Sequence, residues 1–159
     1  MNEQIKVLVT GSNGQVGSEL NVLSTHYPGL VFKFTDRSDM PITDAEAIEN
    51  CFRDFHPDYC INCAAYTAVD KAEDAGEDVI AERINADAVG VLAKACTATN
   101  TKLIHISTDY VFDGTAHQPY QPDDATHPVS VYGATKLKGE QLAAANADAV
   151  IIRTAWVYS

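Results

Sequence analysis

Five short apolar runs, rich in β-branched residues, alternate along this 159-residue chain with stretches whose apolar residues recur at helical spacing. Alternation of this kind is typical of a parallel sheet that helices cover on both faces. The sequence therefore predicts a single α/β domain, a Rossmann-like doubly wound parallel sheet in three α/β/α layers. The predicted strands are 5–10, 31–35, 59–63, 102–107 and 149–153, and the predicted helices are about 15–26, 44–56, 78–99 and 132–145.

The second predicted helix begins with the sequence Thr43-Asp44-Ala45-Glu46. This has the form of a capping box, in which the first side chain caps the helix and the glutamate bonds back to it. We therefore expect Thr43 to be the N-cap residue.

The charge of the chain limits its partners. Lys and Arg number 11 against 22 Asp and Glu, which gives a formal net charge of −11. Such an acidic chain repels phosphate backbones and anionic lipid heads, so we expect neither nucleic acid nor a membrane surface as a partner.

The cysteines and the start of the chain bear on the compartment. The four cysteines are Cys51, Cys60, Cys63 and Cys96. Cys60 and Cys63 have the formal spacing Cys-x-x-Cys, but they lie in an apolar run where a buried strand would point them to opposite faces. We therefore expect reduced core thiols and no metal site. The polar N-terminus has no features of a secretory signal, and no apolar run has the length of a membrane span. These features together predict a cytoplasmic protein.

A glycine triplet follows the first predicted strand and opens the first predicted helix. Gly11, Gly14 and Gly17 have the spacing G-x-x-G-x-x-G, and this position is the one that a dinucleotide-binding loop requires. We expect Gly11 to allow the tight turn, Gly14 to let a pyrophosphate approach the backbone, and Gly17 to let helix and strand pack closely. The alternative is a glycine-rich turn without a ligand.

An acidic residue, Asp36, ends the second predicted strand. A carboxylate at this position accepts hydrogen bonds from an adenosine ribose and disfavours a 2′-phosphate, whereas Arg37 beside it would attract that phosphate. The pattern therefore predicts NAD or NADP without deciding between them, with a mild preference for NAD. The alternative is that Asp36 is a solvated turn residue.

The pair Tyr132 and Lys136 has the spacing Tyr-x-x-x-Lys at the start of a predicted helix, so both side chains lie on one helix face. A phenol titrates near pH 10, and a nearby ammonium lowers its pKa toward neutrality. Thr108 ends the fourth strand, where its hydroxyl would orient a substrate carbonyl toward Tyr132. The alternatives are an ordinary amphipathic helix and a local turn cap at Thr108.

Five segments together carry a close resemblance to a known family, and they span nearly the whole chain: GSNGQVGSEL, NCAAYTAVDKAED, ISTDYVFDG, PVSVYGATKLKGE and IIRTAWVYS. They resemble the dTDP-4-dehydrorhamnose reductase family of extended short-chain dehydrogenases. Members of this family reduce the 4-keto group of dTDP-6-deoxy-L-lyxo-4-hexulose to give dTDP-L-rhamnose, with NADPH or NADH as hydride donor. The resemblance therefore implies an NAD(P)-dependent oxidoreductase of nucleotide-sugar biosynthesis.

The resemblance also implies roles for individual residues. Thr108, Tyr132 and Lys136 resemble the catalytic triad, and Thr108 with Asp109 resembles the pair that contacts the sugar. Trp156 resembles an aromatic residue on the substrate side, with a buried core tryptophan as the alternative. The implied cofactor-binding residues are Gly11, Gly14, Gln15, Val16, Gly17, Asp36, Ala65, Tyr66, Thr67, Tyr132 and Lys136.

Two features depart from the family pattern. Pro41 and Ile42 stand where the family places an acidic and an aliphatic residue at the adenine, with Asp39 two positions earlier. The chain also ends at Ser159, whereas family members continue into a smaller substrate domain that supplies dimer and Mg²⁺ contacts. We therefore expect residues 1–159 to be the NAD(P)-binding domain alone, a chain that binds cofactor and is nearly inactive by itself.

Two other functions compete with this interpretation. A non-catalytic NAD(P)-binding module that regulates a partner would be expected to lose the Tyr132 and Lys136 pair, which is kept here. A related nucleotide-sugar reductase, epimerase or dehydratase would share the fold. A dehydratase would place an acid pair after the strand-end hydroxyl, and Tyr110 instead of Glu follows Asp109.

Overall fold

The structure is a computed structural model that describes residues 4–146 and 148–157. Its strands form a parallel five-stranded sheet in the order β2-β1-β3-β4-β5. Because the chain proceeds from β1 to one side and then from β2 to the other, the strand order reverses between β1 and β3, which creates the crevice that binds ligands in such sheets. The strands are β1 (Ile5–Thr10), β2 (Leu30–Thr35), β3 (Tyr59–Asn62), β4 (Lys102–Thr108) and β5 (Ala149–Thr154).

The predicted α/β class and all five predicted strands are confirmed. The helices between the strands are α1 (Gln15–Ser24), α2 (Ala45–Phe55), α3 (Glu77–Glu82), α4 (Ala88–Thr99) and α5 (Val131–Asn146). Short 3₁₀ turns at Asp70–Glu73 and Asp109–Val111 follow β3 and β4. Within the described ranges, no helix combines the length and apolar character needed to cross a membrane.

The two faces of the sheet are covered unequally. Right-handed crossovers place α2, α4 and α5 on one face and α1 on the other. The first face forms the core, where Leu8, Cys60 and Leu103 pack against α2 and α4. On the α1 face, exposure rises from 0% at Val9 in the centre to 42% at Val150 on the edge strand β5.

The N-cap of α2 differs from the prediction. Asp44, and not Thr43, precedes the helix, and its Oδ1 accepts hydrogen bonds from the backbone N–H groups of Glu46 and Ala47 at 3.0 and 3.1 Å. The expected capping box at Thr43 is therefore wrong by one residue. A carboxylate also interacts more favourably than a hydroxyl with the positive end of the helix dipole.

The predicted helix 78–99 is continuous but contains one wide turn. Residues Arg83–Asp87 form a π-helical turn between α3 and α4. Asn85, in this turn, is fully buried, and its side chain bonds to the backbone of Tyr66 and to Thr135 of α5. The wide turn thus brings Asn85 between the loop after β3 and the helix that carries Tyr132.

Candidate active site

The loop between β1 and α1 has the backbone shape that its glycines predict. Gly11 has a φ of +67°, and a Cβ atom there would lie 2.6 Å from the backbone nitrogen of Ala64. Only glycine accommodates both this conformation and this close approach. Gly14 precedes α1, and no side chain in the described part of the chain caps the first turn of that helix. Gly14 borders the groove, and the N–H groups of the first turn, which lack such a cap, are suited to an anion there.

Gly17 has a different packing partner from the one expected. A Cβ atom at Gly17 would lie 2.4 Å from the carbonyl oxygen of Gly11 and 2.7 Å from the Cα atom of Ser12. Gly17 thus lets α1 pack against its own preceding turn and not against a strand. Gln15 and Val16 form the start of the helix at the same place, with Gln15 exposed.

A groove of about 990 Å³ runs along the carboxyl ends of the strands beside this loop. Its lining joins the glycine loop, the end of β2 and the segment after β3, and includes Gly11, Gly14, Asp36, Arg37, Ala65, Tyr66 and Thr67. Six of the predicted cofactor-binding residues thus border one cavity, and Arg37 borders it as well. Its size is in the range of cofactor sites in proteins, about 300–1,000 Å³.

Asp36 is held firmly by its neighbours. Its Oδ1 accepts hydrogen bonds from the backbone N–H of Ser38 at 2.7 Å and from the Ser38 hydroxyl at 2.6 Å, and its Oδ2 accepts one from the Asn13 side chain. The hydrogen bonds from Ser38 are the main reason that the pKa of Asp36 is lowered. The carboxylate therefore ties the end of β2 to the glycine loop, in addition to any contact with a ligand.

The segment after β3 is fixed from two sides. The hydroxyl of Tyr66 donates a 2.7 Å hydrogen bond to Oε2 of Glu77, and the backbone N–H of Tyr66 donates to Asn85 at 2.8 Å. The bond to Glu77 raises the pKa of the Tyr66 phenol. Ala65 and Thr67, on either side, border the groove.

Thr108 and Tyr132 meet at the end of β4. The hydroxyl of Thr108 donates to Oδ1 of Asp109 at 3.1 Å and accepts from the backbone N–H of Tyr110 at 3.2 Å. The local turn cap considered from the sequence is therefore present, and it orients a hydroxyl that is also close enough to Tyr132 to lower the pKa of its phenol. The ring of Tyr110 packs edge-on against that of Tyr132, with centroids 5.6 Å apart.

Lys136 does not act on Tyr132 as expected. Its Nζ donates a 2.7 Å hydrogen bond to the carbonyl oxygen of Ile106 and lies 3.4 Å from Nε2 of His105. Burial raises the pKa of Tyr132 above its usual value, and it is not lowered overall as predicted. The reason is that the ammonium is directed toward β4, so that Thr108 is the group that opposes the effect of burial.

Of the three residues predicted on the substrate side, Thr108 is buried, whereas Asp109 and Trp156 are exposed. Asp109 follows β4 and carries the bond from Thr108. Trp156 follows β5, is 78% exposed, and has a φ of +48°. The alternative of a buried core tryptophan is therefore wrong. Neither residue borders the groove beside the glycine loop.

The adenine side of the groove is apolar. Met40, Pro41 and Ile42 border it, whereas Asp39 does not. Within 4–146 and 148–157, no three His, Cys, Asp or Glu side chains gather in a way that would hold a metal ion.

Three buried polar residues near the site have no role assigned to them from the sequence. These are Asn62, Asn85 and His105, each with 0% exposure. For Asn62 and His105 a signal exists, because each is a polar residue inside an otherwise apolar strand. Asn85 offers none, since a polar residue in a helical stretch is usually solvated.

A family model and the curated relatives of this chain indicate the same family. Residues 5–159 match the family described as RmlD substrate binding domain. The dTDP-4-dehydrorhamnose reductase of Mycolicibacterium smegmatis is 47% identical over 155 residues, which is 96% of this chain and 46% of that protein. The chain spans about half the length of the curated relatives it matches.

Two crystal structures closely resemble this fold. The dTDP-4-dehydrorhamnose reductase of Clostridium acetobutylicum superimposes with a TM-score of 0.92 at 41% identity, over 97% of this chain and 54% of that one. The enzyme of the same name from Bacillus anthracis, in complex with NADP, gives 0.92 at 34% identity, over 98% and 55% of the two chains.

Proposed function

The chain belongs to the family described as RmlD substrate binding domain, and on that premise we propose that it is the cofactor-binding part of a nucleotide-sugar reductase. The proposed reaction is the NAD(P)H-dependent reduction of the 4-keto group of a dTDP-4-keto-6-deoxy sugar to dTDP-L-rhamnose. Relatives named dTDP-4-dehydrorhamnose reductase support this substrate. The four free cysteines suit a reducing, cytoplasmic setting.

One observation carries the proposal. The groove beside the glycine loop and the pair Thr108 and Tyr132 both lie at the carboxyl edge of the same parallel sheet. Cys63 connects them, because it borders the groove and lies close enough to Lys136 for the ammonium to affect its thiol. A dinucleotide along the groove would thus have its reactive end near Tyr132.

The residues of the groove fit a nicotinamide dinucleotide. The turn at Gly11 and Gly14 presents backbone without side chains, as a pyrophosphate requires. The hydroxyl of Ser107, next to Thr108, is buried and has no hydrogen-bond partner among the residues that the structure describes. When bound, such a cofactor supplies the hydride that reduces a carbonyl carbon.

The chain's own residues supply the proton and the orientation. The Tyr132 hydroxyl donates its proton to the carbonyl oxygen as that oxygen gains negative charge. Thr108, whose hydroxyl donates to Asp109 in this structure, would donate a hydrogen bond to the same oxygen once that hydroxyl turns away from Asp109. Lys136 would hold a ribose hydroxyl of the cofactor, and it would stabilise the phenolate, once its Nζ turns from β4 toward Tyr132.

The position of Arg37 bears on the choice of cofactor. Arg37 borders the groove, whereas both carboxylate oxygens of Asp36 already accept hydrogen bonds from Asn13 and Ser38. We propose that the groove admits the 2′-phosphate of NADPH beside Arg37, and that NADPH binds at least as tightly as NADH. The related enzyme solved in complex with NADP supports this choice.

Titration of the purified chain with NADH and NADPH, followed by cofactor fluorescence, tests the binding step. We expect saturable binding of both, and Arg37→Ala should weaken NADPH about tenfold while changing NADH little. Arg53→Ala, at an exposed site on α2 away from the groove, is the matched control. Absence of binding at millimolar cofactor would overturn the proposal.

Turnover is tested separately with a dTDP-4-keto-6-deoxy sugar while the loss of NADPH absorbance is followed. We expect little turnover by this chain, because groups that exclude water and position the sugar contribute heavily to rate. The Tyr132→Phe change should abolish the remaining turnover and leave cofactor binding within about twofold, since the lost hydroxyl acts on the substrate.

A second function, cofactor binding without catalysis, is favoured by one observation. Lys136 contacts β4 and leaves Tyr132 with a raised pKa. Turnover of the unmodified chain and of Tyr132→Phe should be compared, both alone and with a separate polypeptide that matches the other half of the relatives' length. Equal turnover in both comparisons would favour cofactor binding without catalysis over the reductase function.

A further inference from the structure

A line of buried polar side chains crosses the sheet beneath the active site. Thr10, Asn62 and His105 occupy paired positions on the adjacent strands β1, β3 and β4. Their side chains are all fully buried. The hydroxyl of Thr10 donates to Oδ1 of Asn62 at 2.6 Å, and Nδ2 of Asn62 lies 3.0 Å from Nδ1 of His105. The line ends at Lys136, whose Nζ lies 3.4 Å from Nε2 of His105.

The backbone fixes the direction of every bond in this line. The N–H of Ala64 donates to Asn62 at 3.2 Å, and because an N–H can only donate, the atom it meets is the amide oxygen. The amide nitrogen of Asn62 therefore faces His105 and donates to Nδ1. A neutral imidazole that accepts at Nδ1 carries its hydrogen on Nε2. That N–H is directed at Nζ of Lys136.

We propose that His105, oriented by Asn62 and Thr10, is a positioning residue that presents a ring N–H to Lys136 and thereby sets the protonation state of this lysine. An Nε2–H donates to the lone pair of a neutral amine, but it offers no acceptor to an ammonium. The contact therefore favours the amine. The carbonyl oxygen of Ile106 accepts a hydrogen bond from Nζ at 2.7 Å, and it can do so whether Lys136 is an amine or an ammonium.

The other titratable groups near Lys136 favour its ammonium form. Glu140 of α5 favours the ammonium, although it is paired with Arg153 of β5 at 2.8 Å. Cys63, after β3, also favours it weakly. Burial outweighs them, and the pKa of Lys136 is lowered to about 8. His105 itself stays neutral, since burial and Lys136 lower its pKa to about 3.

The consequence for catalysis rests on the proposed function. A lysine with its midpoint near pH 8 changes charge within the range in which a reductase works. Cofactor ribose and the Tyr132 phenolate would then meet an ammonium at low pH and an amine at high pH. The hydrogen bonds from Thr10 through Asn62 to His105 would set the pH at which Lys136 changes charge.

Long-range ¹H–¹⁵N spectra of the labelled chain test the tautomer without any variant. We expect His105 to be neutral with its hydrogen on Nε2 at pH 6, and the exposed residue His26 serves as the internal reference. A hydrogen on Nδ1, or an imidazolium at this pH, would overturn the proposal. This measurement does not depend on cofactor binding, so its outcome is separate from that of the proposed function.

The effect on Lys136 is tested by following its Cε and Nζ resonances against pH, assigned with Lys136→Gln. We expect His105→Gln to raise the midpoint of Lys136 by about one pH unit, because the amide can turn its oxygen toward Nζ. His26→Gln, at an exposed site, should leave the midpoint unchanged. An unchanged midpoint in a folded His105→Gln chain would refute this role of His105. Should that variant not fold, Asn62→Asp, whose carboxylate can only accept a hydrogen bond, should move the His105 hydrogen to Nδ1. A hydrogen that stays on Nε2 in this variant would count equally against the proposal.

Discussion

The buried Nζ of Lys136 donates a 2.7 Å hydrogen bond to the carbonyl oxygen of Ile106 on β4. This contact directs the ammonium into the sheet, and Lys136 as a whole is only 2% exposed. A buried charge lowers the free energy of unfolding, and such a cost is typical of residues that are kept for function. The stability of the chain should therefore improve when this charge is removed.

Lys136→Met should raise the free energy of unfolding by about 1–3 kcal/mol at pH 7, because a buried ammonium with a lowered pKa is replaced by an apolar side chain of similar length. The gain should be full below about pH 8, the folded value, and should vanish by pH 10.5, the ordinary value of lysine. Urea unfolding across this pH range measures it. Lys94→Met, at an exposed site on α4, is the matched control.

The buried imidazole of His105 should make the chain sensitive to acid. Its pKa is lowered from 6.5 to about 3, so the unfolded chain binds a proton that the folded chain does not over this range. Stability should therefore fall as the pH drops from 6.5 toward 3. His105→Gln should flatten this part of the curve of unfolding free energy against pH. A curve of unchanged slope would contradict the assignment of this dependence to His105.

The ion pair between Arg153 and Glu140 should contribute strongly to stability. Its side chains are 23% and 6% exposed, and Arg153 also donates to the carbonyl oxygen of Pro122. Arg153→Met leaves a buried carboxylate unpaired and should cost about 3–5 kcal/mol. The matched control is Lys102→Met, which breaks the exposed pair with Asp148 and should cost less than about 1 kcal/mol. Equal losses in chemical unfolding would show that burial does not distinguish the pairs.

The glycine loop should tolerate no side chain at its first position. Gly11→Ala forces a Cβ to within 2.6 Å of the Ala64 backbone at a φ of +67°, and we expect it to destabilise the chain by at least about 2 kcal/mol and to abolish cofactor binding. Gly29→Ala, where the added atom meets nothing within 4 Å, is the control. Thermal unfolding and NADPH titration of both variants provide the comparison.

The fold could be predicted from the sequence because each strand is a short apolar run and each is bounded by turn residues. The bounds of β1, predicted as 5–10, are those of the structure. The cap of α2 was missed because Thr43 and Asp44 are both good N-cap residues, and only the backbone decides which one bonds to the first turn. The wide turn at Arg83–Asp87 was missed because its cause is tertiary, namely the bonds of Asn85.

The site was only partly predictable for a similar reason. Spacing brought Thr108 and Tyr132 into the same hypothesis, and the structure brings them close in space. The direction of the Lys136 side chain depends on His105 and on the carbonyl oxygen of Ile106. Neither partner lies near Lys136 in sequence, so helical periodicity could not reveal them.

The unequal covering of the sheet has a consequence for how the chain opens. On the α1 face, Val9 is sealed while Val150 and Ile152 of β5 are each more than 40% exposed. Amide hydrogen exchange should therefore run as a gradient across the strands, slowest in β1 and fastest in β5. Fluctuations that detach β5 would loosen the end of β4, where Thr108 is held, well before they reach the glycine loop. As the temperature rises, the chain should therefore lose the arrangement of Thr108 and Tyr132 before it loses cofactor binding.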